Sequence, residues 1–144
     1  MTSVVVDASV VVIWYIPERD HKQARALRDA YLDGRHELLG PELLPFEVIN
    51  ALKYSDYFDG EQLVQAATTL PEYGISLVPY RRSGPVADIA ATLDITIYDA
   101  SYLALAQMNN TTVYTADPRL LDVISGSDYA SLGTHIRSYD DSAR

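Results

Sequence analysis

Four carboxylates stand where the surrounding sequence gives them something other than open solvent to face. Asp7 interrupts the apolar run "VVVDASVVV" (residues 4–12), Asp99 follows the apolar stretch "ITIY", and Asp117 follows the β-branched "TVYT". Glu47 lies within "PELLPFEVINALKY", where apolar residues cover most of a helical circumference and Glu47, Asn50 and Tyr54 share one narrow polar stripe. Each also has a purely structural reading. Asp7, Asp99 and Asp117 suit helix N-caps, the last with Pro118 at the first helical position, and Glu47 suits a first turn behind Pro45. Capping and ligand binding are compatible, because one oxygen can accept a backbone N–H while the other faces a crevice.

Convergence of the four would have an electrostatic consequence. Two unit charges about 6 Å apart at an effective dielectric of about 20 repel by about 3 kcal/mol, and such pairs together rival a whole folding stability of about 5–15 kcal/mol. A cluster of this kind must hold protons, be screened, or bind cations. Hard divalent ions, Mg²⁺ or Mn²⁺, match an all-oxygen donor set and are completed by water and substrate phosphate. The histidines His21, His36 and His135 show no metal-type spacing. Such a centre polarises a phosphodiester, activates a water for in-line attack and stabilises the leaving oxygen. Ser9 and Thr115, each two residues from an aspartate, carry hydroxyls that can orient carboxylates or waters, with helix start and strand propensity as their structural readings. Asn50, one turn from Glu47, can hydrogen-bond it or serve as a packing amide.

The elements that must position these groups alternate along the chain. Residues 2–6 read as a strand, followed by a brief apolar helix from Ser9 to the break at Pro17. Residues 20–33 form an amphipathic helix that Gly34 stops. A strand at 37–39 leads to helices over 42–58 and 61–70, then a strand at 75–78. "GPVADIAATLD" and "DASYLALAQM" read as helices, "NTTVYTA" as a strand, "DPRLL" as a helix opening, and the segment near Ile136 as a last strand. The expected architecture is α/β: a three-layer α/β/α sandwich on a mainly parallel sheet, one domain over 1–138 with a flexible tail at 139–144. In such sheets ligands bind beyond the carboxyl ends of the strands, which is where Asp7 falls.

Composition narrows the function classes. The chain has 144 residues and no cysteine, which excludes disulfides, thiolate metal sites and cysteine nucleophiles and points to an intracellular, cytoplasmic protein. Its apolar run from Val10 to Ile16 is far short of the about 20 residues of a membrane span. A net charge of −9 disfavours polyanion binding through the general field, so contact with nucleic acid must be local. Arg19, Lys22, Arg25, Arg28 and Arg35 lie close together in sequence, as a solvated helix face or as a basic patch for RNA phosphate or an acidic stretch of a partner.

Four segments in order, "VVVDASVVV" with "WYIPE", "PELLPFEVINAL", "TIYDASYLALAQ" and "VYTADPRLL", resemble the PIN-domain ribonucleases, specifically the VapC-type toxins of prokaryotic toxin–antitoxin pairs. The resemblance runs from near the first residue to about residue 124. It implies a PIN-like α/β/α fold, Mg²⁺- or Mn²⁺-dependent endonucleolytic cleavage of RNA, homodimerisation and inhibition by a VapB-type antitoxin. By position, Asp7, Glu47, Asp99 and Asp117 match the acidic quartet, Thr115 the hydroxyl residue before the last aspartate, and Asn50 the asparagine after the glutamate. One departure is Ile13, where many relatives carry a lysine.

Two other readings compete. A haloacid-dehalogenase-like phosphatase also places an aspartate after its first strand, but requires a second two positions on, where this chain has Ser9. A non-catalytic α/β binding module would use the carboxylates as caps and the eleven tyrosines as contact surface, with Tyr54, Tyr57 and Phe58 at one helix end as a dimer interface.

Overall fold

The structure is a computed structural model that describes residues 2–140. Strand β1 (Thr2–Val6) is the sheet's centre, and Val4, Val5 and Val6 are all buried, as expected of a parallel strand covered on both faces. Around it the sheet runs in the order β3 (Ser76–Val78), β2 (His36–Pro41), β1, β4 (Val113–Thr115), β5 (Gly133–His135). Every pairing is parallel.

Right-handed crossovers fix the layers. The chain steps outward from β1 to β2 to β3, returns to β4, and continues outward to β5. That path sets helices α1 (Ala8–Tyr15), α2 (His21–Leu32), α3 (Leu44–Tyr54) and α4 (Gly60–Thr69) on one face, and α5 (Val86–Leu93), α6 (Ile97–Met108) and α7 (Pro118–Ile124) on the other. The packing agrees: α1 lies against α2 and α3, α5 against α6, and α6 against β1, β2 and β4. Strand order reverses between β1 and β4, which makes their carboxyl ends the switch point at which α/β sheets open a crevice.

Local chemistry explains most boundaries. Gly34, at φ 79°, takes the left-handed conformation that closes α2. The helix expected over 42–58 is shorter: it ends at Tyr54, where the Ser55 N–H closes on Ala51 and Leu52, and a capping box of Asp59 with Gln62 starts α4. Of "NTTVYTA", only Val113–Thr115 pairs as strand. The last strand lies just before Ile136, whose side chain is buried in a following 3₁₀ turn.

The apolar α1 is buried almost all round. Ile13, at the position where resembling chains often carry lysine, is 3% exposed and belongs to the core, so it presents nothing to a ligand. Trp14 packs on Tyr73 with ring centroids 5.0 Å apart and donates to the Ala24 carbonyl at 2.9 Å. Tyr139, the first residue of the stretch expected to be a loose tail, is instead buried: its hydroxyl meets His36 Nε2 at 2.8 Å and its ring packs on Tyr114. Residues 141–144, the rest of that expectation, lie outside the described residues. No single helix among the described residues is long and apolar enough to cross a membrane.

Candidate active site

Asp7 follows the last residue of β1 and occupies the N-cap position of α1, yet its side chain makes no cap bond. It is held instead by two hydroxyls. Ser9 Oγ donates to Asp7 Oδ2 at 2.5 Å and Thr115 Oγ1 donates to the same oxygen at 2.9 Å, leaving Oδ1 without a side-chain donor. The hydroxyls are themselves fixed, because the Ala116 N–H donates to Ser9 Oγ at 2.9 Å and the Asp117 N–H to Thr115 Oγ1 at 3.0 Å. The ends of β1 and β4 are thus laced together around one carboxylate. Where a haloacid-dehalogenase-like site needs a second carboxylate, this chain has the Ser9 hydroxyl, donating to Asp7.

Asp117 caps α7 as its Pro118 neighbour suggests, accepting from the Arg119 N–H at 2.9 Å; the exposed Arg119 guanidinium lies 3.5 Å from the same Oδ1. Asp99 is placed differently from the sequence expectation. Asp99 is not the N-cap: Thr96 caps α6, accepting from the Asp99 N–H at 3.0 Å, and Asp99 sits in the helix's first turn. Glu47, in the first turn of α3, accepts from the Tyr102 hydroxyl at 2.6 Å. Asn50, expected to hold Glu47, does not; among the described residues it forms no hydrogen bond, and it lines an open hollow of about 430 Å³ with Glu47, Leu43, Phe46 and Tyr98.

The charges reach one another. Burial pushes the Asp7 carboxyl above the usual carboxylate range, against the pull of Ser9 and Thr115, and the Asp99 charge adds to the rise. Burial also raises Glu47, against the Tyr102 bond, with Asp7 and Asp99 repelling it further. Asp99 is raised by burial and then by Asp117, partly offset by Thr96 and Arg119. Tyr102 was not singled out in the sequence. It lies three residues after Asp99 on α6, one helical face, and that spacing is the signal that could have found it. Buried beside Asp7 and Glu47, its hydroxyl is raised far beyond its ordinary value, so it stays a donor. Arg119 was likewise missed; its side chain is the cation at the rim.

Among the described residues, no three acidic or histidine side chains are drawn tightly enough to form a ready-made ligand shell. The donor set nevertheless fits a hard divalent cation. It is all carboxylate oxygen, its pKa values raised first by burial and then by neighbouring acids, with Arg119 as the counter-charge. Ions of this kind retain waters, so carboxylates standing apart can share one.

Comparison with known proteins follows the same outline. Three solved structures share the fold: PAE2754 from Pyrobaculum aerophilum, at 20% identity over 94% of this chain and 90% of that one with a TM-score of 0.59; FitAcB from Neisseria gonorrhoeae, at 18% over 86% and 94% with 0.59; and FitAB bound to an IR36 DNA fragment, at 16% over 95% and 97% with 0.64. No curated protein matches the sequence. The family model described as PIN domain matches residues 4–125, a span that runs from within β1 to just past α7 and includes Asp7, Glu47, Asp99 and Asp117, and the chain therefore belongs to the PIN-domain family.

Proposed function

We propose that this chain is a divalent-metal-dependent endoribonuclease of the VapC type, the toxin of a toxin–antitoxin pair. PIN domains are generally nucleases, and what supports a metal-dependent reading is the placing of Asp7, fixed by Ser9 and Thr115, at the switch point of β1 and β4, with Glu47, Asp99 and Asp117 near enough for neighbouring charges to act on one another. These residues would hold Mg²⁺ or Mn²⁺, directly or through water. When bound, the metal supplies Lewis-acid polarisation of a phosphodiester and a water acidic enough to attack it. The protein's own groups do the positioning. Ser9 and Thr115 hold one oxygen of Asp7, Tyr102 holds one oxygen of Glu47, and Thr96 sets the turn that presents Asp99. Arg119, mostly solvent-exposed, is placed to meet a substrate phosphate.

The partner reading rests on charge and surface. One structural neighbour is described as bound to DNA, whereas this chain, at −9, lacks the general field to draw a polyanion. A basic partner of the VapB type would supply that field and neutralise the acidic site. Tyr54 and Tyr57 are exposed and available for homodimer contact, while Phe58 packs on Tyr15.

The test is cleavage of single-stranded RNA with Mg²⁺ or Mn²⁺ and with chelator, using folded Asp7→Asn and Asp99→Asn variants. The expected result is metal-dependent cleavage that falls by about 100-fold or more in each variant, the scale on which an electrostatic catalytic group counts. Equal rates in parent and variants would end the assignment. Metal binding without hydrolysis would favour the non-catalytic binding module.

A further inference from the structure

Two aromatic side chains lie exposed beside the candidate site without a packing role. Phe46 is 79% exposed and directly precedes Glu47; Tyr98 is 62% exposed and directly precedes Asp99. They come from helices on opposite faces of the sheet, yet both line the same hollow of about 430 Å³, whose other walls are Leu43, Glu47 and Asn50. That volume falls in the about 300–1,000 Å³ range of small-ligand sites. Exposed rings normally cost solvation, and here neither covers core. The Asn50 amide, with a donor pair and an acceptor, has no partner among the described residues. The hollow therefore offers flat apolar surfaces, one unspent amide and a carboxylate at its edge.

Those are the requirements for holding a nucleobase: a π-face to stack on and hydrogen-bonding groups for its edge. The charge balance demands such a device. At −9 the chain draws little affinity from phosphate, so binding energy for RNA must come from contacts that do not depend on cations. A paired base within a duplex cannot enter; an unstacked base of a single strand can.

We propose that Phe46, Tyr98 and Asn50 form a nucleobase subsite in which the base flanking the cleaved phosphodiester stacks on the aromatic rings, with Asn50 contacting its edge. The inference rests on the nuclease reading above, and it assigns substrate positioning to residues outside the acidic set. Asn50 sets preference among bases; Tyr98 and Phe46 set affinity.

Two measurements test it. In steady-state cleavage of a single-stranded oligoribonucleotide, Tyr98→Leu should raise KM about tenfold with kcat nearly unchanged, and Tyr98→Phe should restore it, because only stacking is lost. On the same oligonucleotide carrying an abasic ribose beside the cut, parent and Tyr98→Leu should have equal KM, and Asn50→Ala should narrow the spread in kcat/KM among substrates differing in that base. Unchanged KM for Tyr98→Leu on the intact strand, or an equal rise on both strands, would overturn the subsite. A loss of dimer in sedimentation with KM untouched would assign the rings to a protein contact and overturn it too. The second measurement needs no cleavage: parent protein should quench a 2-aminopurine base in a single-stranded RNA, and Tyr98→Leu should not. Quenching without cleavage by the parent would refute the nuclease reading and keep the subsite; cleavage without quenching would do the reverse.

Discussion

Tyr102 shows how a residue outside the acidic set governs it. Its hydroxyl keeps its proton and donates to Glu47, which lowers the energy of the charged glutamate against a cost of burial. Tyr102→Phe preserves the ring and removes the donor. The expected outcome is a loss of cleavage rate of about tenfold, the scale of a hydrogen bond to a charged group, with the acidic limb of the pH–rate profile moved to higher pH because Glu47 protonates more easily. An unmoved limb would show that the bond plays no part in setting Glu47's charge. Thr115 gives a similar test, since it is fully buried and bonds both Asp7 and the Asp117 backbone. Thr115→Val should weaken divalent-ion affinity while leaving a folded chain, as measured by thermal shift with and without Mn²⁺.

Asp7 also links the site to stability. A carboxyl whose folded pKa lies above its unfolded value binds more protons when folded, so its contribution to stability falls as pH rises from the unfolded value, 3.8 for Asp7, through the folded one, and the penalty is complete above that. In metal-free buffer Asp7→Asn should therefore melt at a higher temperature than the parent at pH 7, and the gap should narrow as pH approaches 4. A variant less stable than the parent at both pH values would contradict the desolvation argument.

At the scale of elements, β2 and α3 are coupled through one glycine. A Cβ on Gly40 would stand 2.7 Å from Leu44 Cδ1, and Leu44 is buried and cannot swing clear. Gly40→Ala should cost about 1–3 kcal/mol in urea denaturation, the usual penalty for overpacking, and should disturb Glu47, three residues beyond Leu44 on α3. What the sequence disclosed at this scale follows from periodicity. The buried valines of β1, the stop at Gly34 and the Asp117–Pro118 cap are local signals, and the structure places them as read. Asp99 itself suits an N-cap by type, but Thr96, three residues earlier, takes that position and leaves Asp99 in the first turn; the two local signals compete, and the hydroxyl wins. The pairing of Tyr102 with Glu47 spans 55 residues: spacing on α6 places Tyr102 on the face of Asp99, but nothing local names Glu47 as its partner.

For the whole molecule, an all-parallel sheet with its switch point between β1 and β4 gathers groups far apart in sequence at one edge. Fold class was legible because strands and helices alternate at lengths that force parallel crossovers. The candidate site was only half legible: the acidic residues stand out in the sequence, but the hydroxyl lacing of Asp7 by Ser9 and Thr115 depends on the register of β1 against β4. If these oxygens together bind a divalent cation, as proposed, calorimetric titration of the chelator-treated chain with Mn²⁺ measures it directly. The expected result is saturable binding in the millimolar range or tighter for the parent, and severe weakening in both Asp7→Asn and Asp99→Asn. No binding by the parent, or binding that both variants retain unchanged, would contradict it.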